Sequence, residues 1–564
     1  MLNRFRLFSG SALALAALIS ACGDDDDGGT GPTTLNPPTG VTATATTATT
    51  AHVTWTAADG ATSYVVQRAA GVTGGTFETV GTSSTTAFDD SGLNPESQYR
   101  YRVASVSGQN TSDFTADVSI TTPAAQVPTV EVSADVTTNT TWTSDKVYIL
   151  KGFIHVANGA TLTIQPGTKI VGDFETVGSS LFVLRGAKIN AIGTQNQPIV
   201  FTSSRAEGQR QAGDWGGLII VGNGVINRAA PIILEGTNTG AGNPPVDYAG
   251  GTDNTDNSGI LRYVRVEFAG YATATDAELN SFTFAAVGSG TQFSYLQSLN
   301  GLDDSFEFFG GAVDGDHFVS YNSGDDHFDM SEGYVGRLQF LIAYQTRQVV
   351  PRPAAGNLAT DPQGIENDGC NGANCTNGQN SLPYTVPMIA NATIIGPPAS
   401  VTNSAGNIGM MLRRGVAGVY VNIVLARWGR AAISLRDQTT LDQIAAGRLD
   451  LQNILITEAP TLFQAASGTT VQGTVDVAAN ALDHQAATTA TSLFLGVPDA
   501  EPAANAALDF TPAANSPAAS GGMVPFTGGI AQKAGATVTA TVYRGAAGTD
   551  TPKWWQTWTR FATN

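Results

Sequence analysis

Positive charge is scarce in this sequence. Its 564 residues hold 28 Lys and Arg against 47 Asp and Glu, a formal net charge of −19. Nucleic-acid binding needs a basic face, so that class of partner is excluded. Lysine is rarest: there are six, and none falls between Lys188 and Lys533. Charged residues of both signs make up only 13% of the chain. Amphipathic helices laced with Lys and Glu are therefore few. The apolar run from Ser11 to Ile19 is too short to span a bilayer as a helix. No Gly-rich phosphate loop stands between a strand and a helix, and no Gly-x-Ser-x-Gly elbow occurs. Cysteine is limited to three residues, too few for a disulfide framework.

What fills the chain instead is Gly, with 64 residues, together with Thr, Ser, Ala and Asn. Gly with β-branched residues predicts an all-β protein, and the length allows more than one domain. Arg4 and Arg6 precede the Ser11–Ile19 run, and Ile19-Ser20-Ala21-Cys22 follows. This pattern resembles a bacterial lipobox. The resemblance implies a signal peptide over 1–21, cleavage before Cys22 and lipidation of its thiol. The expected location is the cell envelope, lipid-anchored to the outer membrane and surface-exposed. Residues 22–38 form a flexible acidic tether; the Asp24 to Asp27 run is either a solvated spacer or an acidic export signal. The remaining thiols, Cys370 and Cys375, suit a short-range disulfide in an oxidising compartment. Zinc is the weaker reading, because two thiols do not complete a tetrahedral site.

Residues 39–122 alternate in short strands, with Val53 and Trp55 in one run and Tyr64 and Val66 in the next. Leu93-Asn94-Pro95-Glu96-Ser97-Gln98-Tyr99-Arg100-Tyr101-Arg102-Val103 resembles a fibronectin type III signature. The resemblance implies a β-sandwich with Trp55 as the buried strand Trp, and with Leu93 and Tyr99 at the tyrosine corner. Its expected role is a spacer.

From 129 the texture changes. Ala160 to Ile170 and Lys188 to Ser203 are short strands broken by Gly and Pro, similar to the opening coils of secreted bacterial β-helix proteins. An internal period supports this. Phe284, Phe306 and Phe328 lie 22 residues apart, as do Leu296, Phe318 and Phe340. Asp303-Asp304 recurs as Asp325-Asp326, and Glu307 as Asp329. One coil cannot bury its apolar face alone, so such repeats stack into one core. Phe284, Phe306 and Phe328 are expected in one interior stack. Asn391, Asn422 and Asn453 form a second ladder, 31 apart, expected at tight turns with their amides bonded to one another. The expected fold is thus a fibronectin type III sandwich, then a right-handed parallel β-helix over 129–460. A loop is expected at 346–386, and 461–564 should pack on or cap the helix. Over 129–564 the chain resembles secreted bacterial β-helix lipoproteins of unassigned activity. Gly213-Asp214-Trp215-Gly216-Gly217-Leu218, Leu261 to Phe268, Asp303 to Gly311 and Tyr543-Arg544-Gly545-Ala546 carry that resemblance.

The recurring acids are the candidate site. Asp303, Asp304, Glu307, Asp325, Asp326 and Asp329 are expected to stack on one edge, with Asp314, Asp316, Glu366 and Asp368 nearby. Carboxylates that close repel unless a cation or proton sits between them, and calcium takes six to eight oxygens. Solvated turn carboxylates are the plainer reading. His317 and His327 lie among the acids and with them could bind a transition metal, a polar edge or turn role being the plainer reading; Arg337, Arg347 and Arg352 are the neighbouring cations. Arg413 and Arg436, 23 apart, are expected to stack on another face, where they could hold an anionic sugar or simply pair with surface carboxylates. Asp325-Asp326 with Asp304 resembles the carboxylates of polygalacturonases, but the companion His-Gly turn and Arg-Ile-Lys element are missing, so no catalytic residue is assigned. The expected function is a surface lipoprotein that presents a β-helix to a polysaccharide or another surface polymer. Two alternatives stay open: a calcium-dependent polysaccharide lyase or glycoside hydrolase of the pectin-lyase-like fold, and a purely structural envelope protein.

Overall fold

The computed structural model describes residues 34–240, 242–399, 401, 407–465, 475–503 and 507–562. The expected signal peptide, Cys22 and the expected tether up to residue 33 lie outside the described residues. The chain divides into two compact units at Gln126/Val127.

The first unit is a β-sandwich. One sheet holds β1 (Thr39–Thr47), β2 (Thr50–Thr56) and β5 (Ala87–Ser91). The other holds β3 (Ser63–Ala70), β4 (Glu78–Ser83), β6 (Gln98–Ser107), β7 (Asn110–Thr111) and β8 (Val118–Thr121). Strand alternation turns Ala51, Val53 and Trp55 inward to meet Tyr64, Val66, Tyr101 and Val103. Trp55 and Tyr64 meet edge-on at 5.2 Å. The Tyr99 hydroxyl accepts the Asn94 N–H at 2.8 Å, which is the expected corner. This core is complete within the unit. A fragment of residues 39–122 should therefore fold alone and give a dispersed amide NMR spectrum; a collapsed spectrum would refute that boundary.

The second unit is a parallel solenoid. Among the described residues, one sheet has 17 strands and a second has 10, and their strands stack coil upon coil. Parallel crossovers of this kind are right-handed. The eight-residue strands of the long sheet, such as Gln292–Leu299 and Asp314–Tyr321, bend in the middle at a residue with positive φ. Each coil thus has three faces. The bend residues form one column: Tyr263, Tyr295, His317, Phe340, Asn391, Asn422 and Asn453, all with φ between +50° and +60°. Asn tolerates this region well, which accounts for the Asn ladder. Those three amides do not bond one another, contrary to expectation. Asn391 donates to the Thr541 hydroxyl (2.7 Å), Asn422 accepts the Met523 N–H (2.8 Å), and Asn453 donates to the Gly521 carbonyl (3.0 Å).

The interior is a set of apolar columns, and two expected registers need correction. Phe306 stacks on Phe282 at 5.0 Å and on Phe328 at 5.3 Å. Phe284 instead pairs with Phe308. The turn 286–291, between the strands Phe282–Ala285 and Gln292–Leu299, is two residues longer than its counterpart 310–313, so the step from Phe282 to Phe306 is not 22. Likewise Leu296 pairs with Phe318, but Phe318 pairs with Leu341. Phe340 falls in the bend column, against His317. The stretch 346–386 is not one loop either: the strand Gln363–Asp368 lies within it and joins the ten-stranded sheet. The Cys370–Cys375 disulfide forms beyond that strand. Strands Phe463–Ala465 and Asp483–His484 continue the two sheets past residue 460.

The C-terminal segment packs along the flank of the solenoid. The outer surface of the long sheet exposes Phe268, Leu299, Val319, Tyr321, Ile342 and Tyr344 to it, and Phe510, Trp555, Trp558 and Phe561 cover them. Hydrogen bonds pin it to distant coils: Gln195 to Gln556, Arg265 to Trp558, Gln297 to Arg560 and Gln339 to Thr539. Gly545 is required here. Its φ is +88°, and a Cβ would meet the Thr393 hydroxyl at 2.6 Å.

Candidate functional site

The ten-stranded sheet turns alternate side chains outward. On its inner side Phe306, Phe308, Phe328, Met330 and Ile365 enter the core. On its outer side Glu307, Asp329 and Glu366 follow one another in register on neighbouring strands. Adjacent parallel strands are about 4.8 Å apart, so three carboxylates fall in one row. The turns just before these strands add Asp303-Asp304 and Asp325-Asp326. Those turns are locked together: the Asp326 N–H donates to Asp304 Oδ1 at 2.8 Å. A Cβ on Gly324 would come within 1.9 Å of the Leu302 carbonyl oxygen, so only glycine lets the turns lie this close.

All six expected acids line one groove of about 930 Å³. Its walls are the hairpin Ala272–Ala274 with Ala277–Glu278 and the loop 354–361. The groove also takes in acids that the period did not reveal: Asp276, Glu278 and Asp361 on these walls, and Glu235 beside them. The readable signal for Glu235 was a lone acid in the apolar run Ile232-Ile233-Leu234. Three triads hold carboxylate oxygens within 4.8 Å of one another: Asp303, Asp304 and Asp325; Asp304, Glu307 and Asp329; Asp326, Asp329 and Glu366. Two oxygens that share a calcium ion lie no more than about 5 Å apart, so each triad has the right spacing.

Positive groups in the groove are few. Arg413 reaches over the row and pairs with Glu366 and with Asp368 Oδ1 (2.7 Å). Asn280 donates to Glu307. Asp329 Oδ1 is buried with no donor at all. Burial first, and then mutual repulsion, raises Asp303, Asp304, Glu307, Asp326 and Asp329 well above the usual carboxylate range. Burial also pushes Asp325 up to about 7, and Glu235 and Glu366 up to about 8. Without a cation, burial and crowding therefore favour proton uptake by these carboxylates. The donors are all oxygen, and they fit a hard divalent cation better than a soft one. Asp303, Asp304, Glu307, Asp325, Asp326, Asp329 and Glu366 would hold it.

Other expected neighbours lie elsewhere. Asp314 pairs with Arg337 at 2.6 Å, and Asp316 pairs with His317 on the bend column. Arg347 pairs with Glu501, and Arg352 lies over Phe174 and Tyr271. His327 is buried, bonded to the Ser320 hydroxyl, and burial lowers it to about 3. It does not join His317, so the two histidines form no shared metal site. Arg413 is on the acids' own face, not on another one as expected. Arg436 follows Leu435, which pairs with Leu412, so it stands one strand beyond Arg413.

The fold and groove define a parallel β-helix protein with an acid-lined outer face. Residues 134–494 match the family described as a pectate-lyase-like beta helix domain, and residues 36–121 match the fibronectin type III domain. The chain belongs to the pectate-lyase-like β-helix family and carries a fibronectin type III module. Among solved structures, it is similar to the FN5 domain of Drosophila Lar at 22% identity, over 16% of this chain and 99% of that one, with a TM-score of 0.15. An Fn3-like protein from Clostridium thermocellum is 31% identical over 17% of this chain and 99% of its own, again with a TM-score of 0.15. No curated protein matches the chain.

Proposed function

We propose that this chain is a lipid-anchored envelope protein whose groove takes up calcium and, through it, binds an acidic polysaccharide. One observation carries the reading: three carboxylate triads at cation spacing share one outer face with little positive charge to neutralise them. A bare groove of this kind would repel an acidic polymer. A cation in each triad reverses that sign and leaves coordination positions for the polymer's own oxygens. The stacked coils supply a straight, rigid face suited to a repeating ligand.

Calorimetry tests this directly. Calcium should bind and release protons, because its ligands must ionise. A galacturonic acid hexamer should then be retained in calcium and lost in chelator. Absence of calcium uptake would refute the proposal. The Cys22→Ser variant should lose lipid labelling and leave the membrane fraction; if it stays membrane-bound, the anchor assignment is wrong.

A second reading, a polysaccharide hydrolase, is supported by Asp325, Glu235 and Glu366. Their affinity for protons near neutrality suits a general acid. Reducing ends released from the hexamer would select it over simple binding.

A further inference from the structure

We infer that Arg436 forms an anion subsite at the downstream end of the acid-lined face, taking an acidic substituent of the polymer bound there. This rests on the groove reading above and adds to it a second, oppositely charged contact point.

The sheet register places the subsite. Asp368 pairs with Arg413 across one strand boundary, and the Arg436 N–H donates to the Leu412 carbonyl at 2.9 Å across the next. Asp368, Arg413 and Arg436 therefore continue one outward column, beside the row that holds Asp329 and Glu366. The two arginines differ in what they meet. Arg413 is neutralised by Glu366 and Asp368. Arg436 has no carboxylate against it among the described residues. Its Nη2 touches the Met411 sulfur at 3.5 Å, and its Nε is buried without any partner.

A half-buried guanidinium without an anion is costly, and a carboxylate or sulfate is the group that its planar fork matches. Burial, with Arg430 and Arg413 close by, pulls Arg436 below the usual arginine value; Glu366 and Asp361 oppose this from the groove. An incoming anion would relieve both the burial and the crowding of like charge. Two strand spacings separate Glu366, the nearest of the cation ligands, from Arg436, about 10 Å along the sheet, and three separate Asp329 from it. Only an oligomer of that reach engages the cations and Arg436 together.

Arg436→Gln should weaken calcium-dependent binding of the galacturonic acid hexamer by about tenfold or more, while calcium affinity and melting temperature stay as in the parent. Arg436→Lys should retain part of the binding. Galacturonic acid monomer, too short to bridge, should bind both proteins alike. A chondroitin sulfate hexasaccharide run in parallel distinguishes the anion: a loss confined to that probe assigns sulfate, and a loss confined to the galacturonate assigns carboxylate. Calcium titration reads the groove independently. Failure there refutes the groove. Calcium uptake with equal hexamer affinities in parent and Arg436→Gln overturns the subsite, and so does a loss as large for the monomer as for the hexamers.

Discussion

Replacing Phe306 by alanine should destabilise the solenoid by about 3–5 kcal/mol, more than truncation of any half-buried aromatic on its surface. Phe306 is fully buried. Its ring lies between Phe282 and Phe328 on neighbouring coils and also stacks on Phe318 at 5.0 Å. Truncation removes the transfer free energy of the ring and leaves a cavity bounded by rings on three sides. Those rings are fixed by strands that are themselves paired on both edges, so the gap cannot close. Phe309, next but two in sequence, points outward and is half-buried; its truncation should cost clearly less. Denaturant midpoints for the two variants check the order. Equal losses would sink the stacked register.

Calcium should raise the melting temperature, and the pair of changes Asp304→Asn and Asp326→Asn should abolish most of that rise. At 100 to 1,000 times the dissociation constant, one site contributes about 3–4 kcal/mol by mass action. Asn keeps the carbonyl oxygen that accepts the Asp326 and Gln363 N–H groups, so the turns survive while the charge is lost. The calcium-free variant should then equal or exceed the parent in stability, because repulsion has been removed. Turn carboxylates without a cation role would instead destabilise equally with and without calcium.

The pH dependence has a definite sign. A carboxyl group raised in the folded state contributes stability below its unfolded value, near 4, and loses it as pH rises to the folded value. For Asp325, Glu235 and Glu366 that upper limit is about 7 to 8. Calcium-free stability should fall from pH 5 to pH 8, and saturating calcium should flatten the slope. A calcium-free protein that gains stability over that range would contradict the crowding of carboxylates described above.

Much of the solenoid was legible in the sequence because each coil repeats one physical problem. Glu307 and Asp329 sit in register, as their spacing indicated. The period failed where turn lengths vary: Phe282, not Phe284, stacks on Phe306. A fixed count in sequence tracks a column only while every turn has the same length. The period could not reveal Glu235 and Asp361 for another reason. They reach the groove on segments outside the repeat, and no periodicity relates them to it. Arg413 was misplaced because a spacing of 23 to Arg436 says that two residues share a column, but not which face the column is on.

The fastened C-terminal segment has a consequence for the size of this protein. A free-ended solenoid can gain or lose a coil and remain closed, since each coil contacts only its neighbours. Here one segment is bonded to Gln195, Gln297, Gln339 and Asn453 at once. It works as a ruler laid against the stack. Removing one coil from the middle would shift every later bonding partner by about 4.8 Å, and the ruler would no longer match its marks. The number of coils between Gln195 and Asn453 is therefore held by the segment that carries Gly521, Thr539, Gln556 and Arg560, and gain or loss of a coil there would cost these bonds.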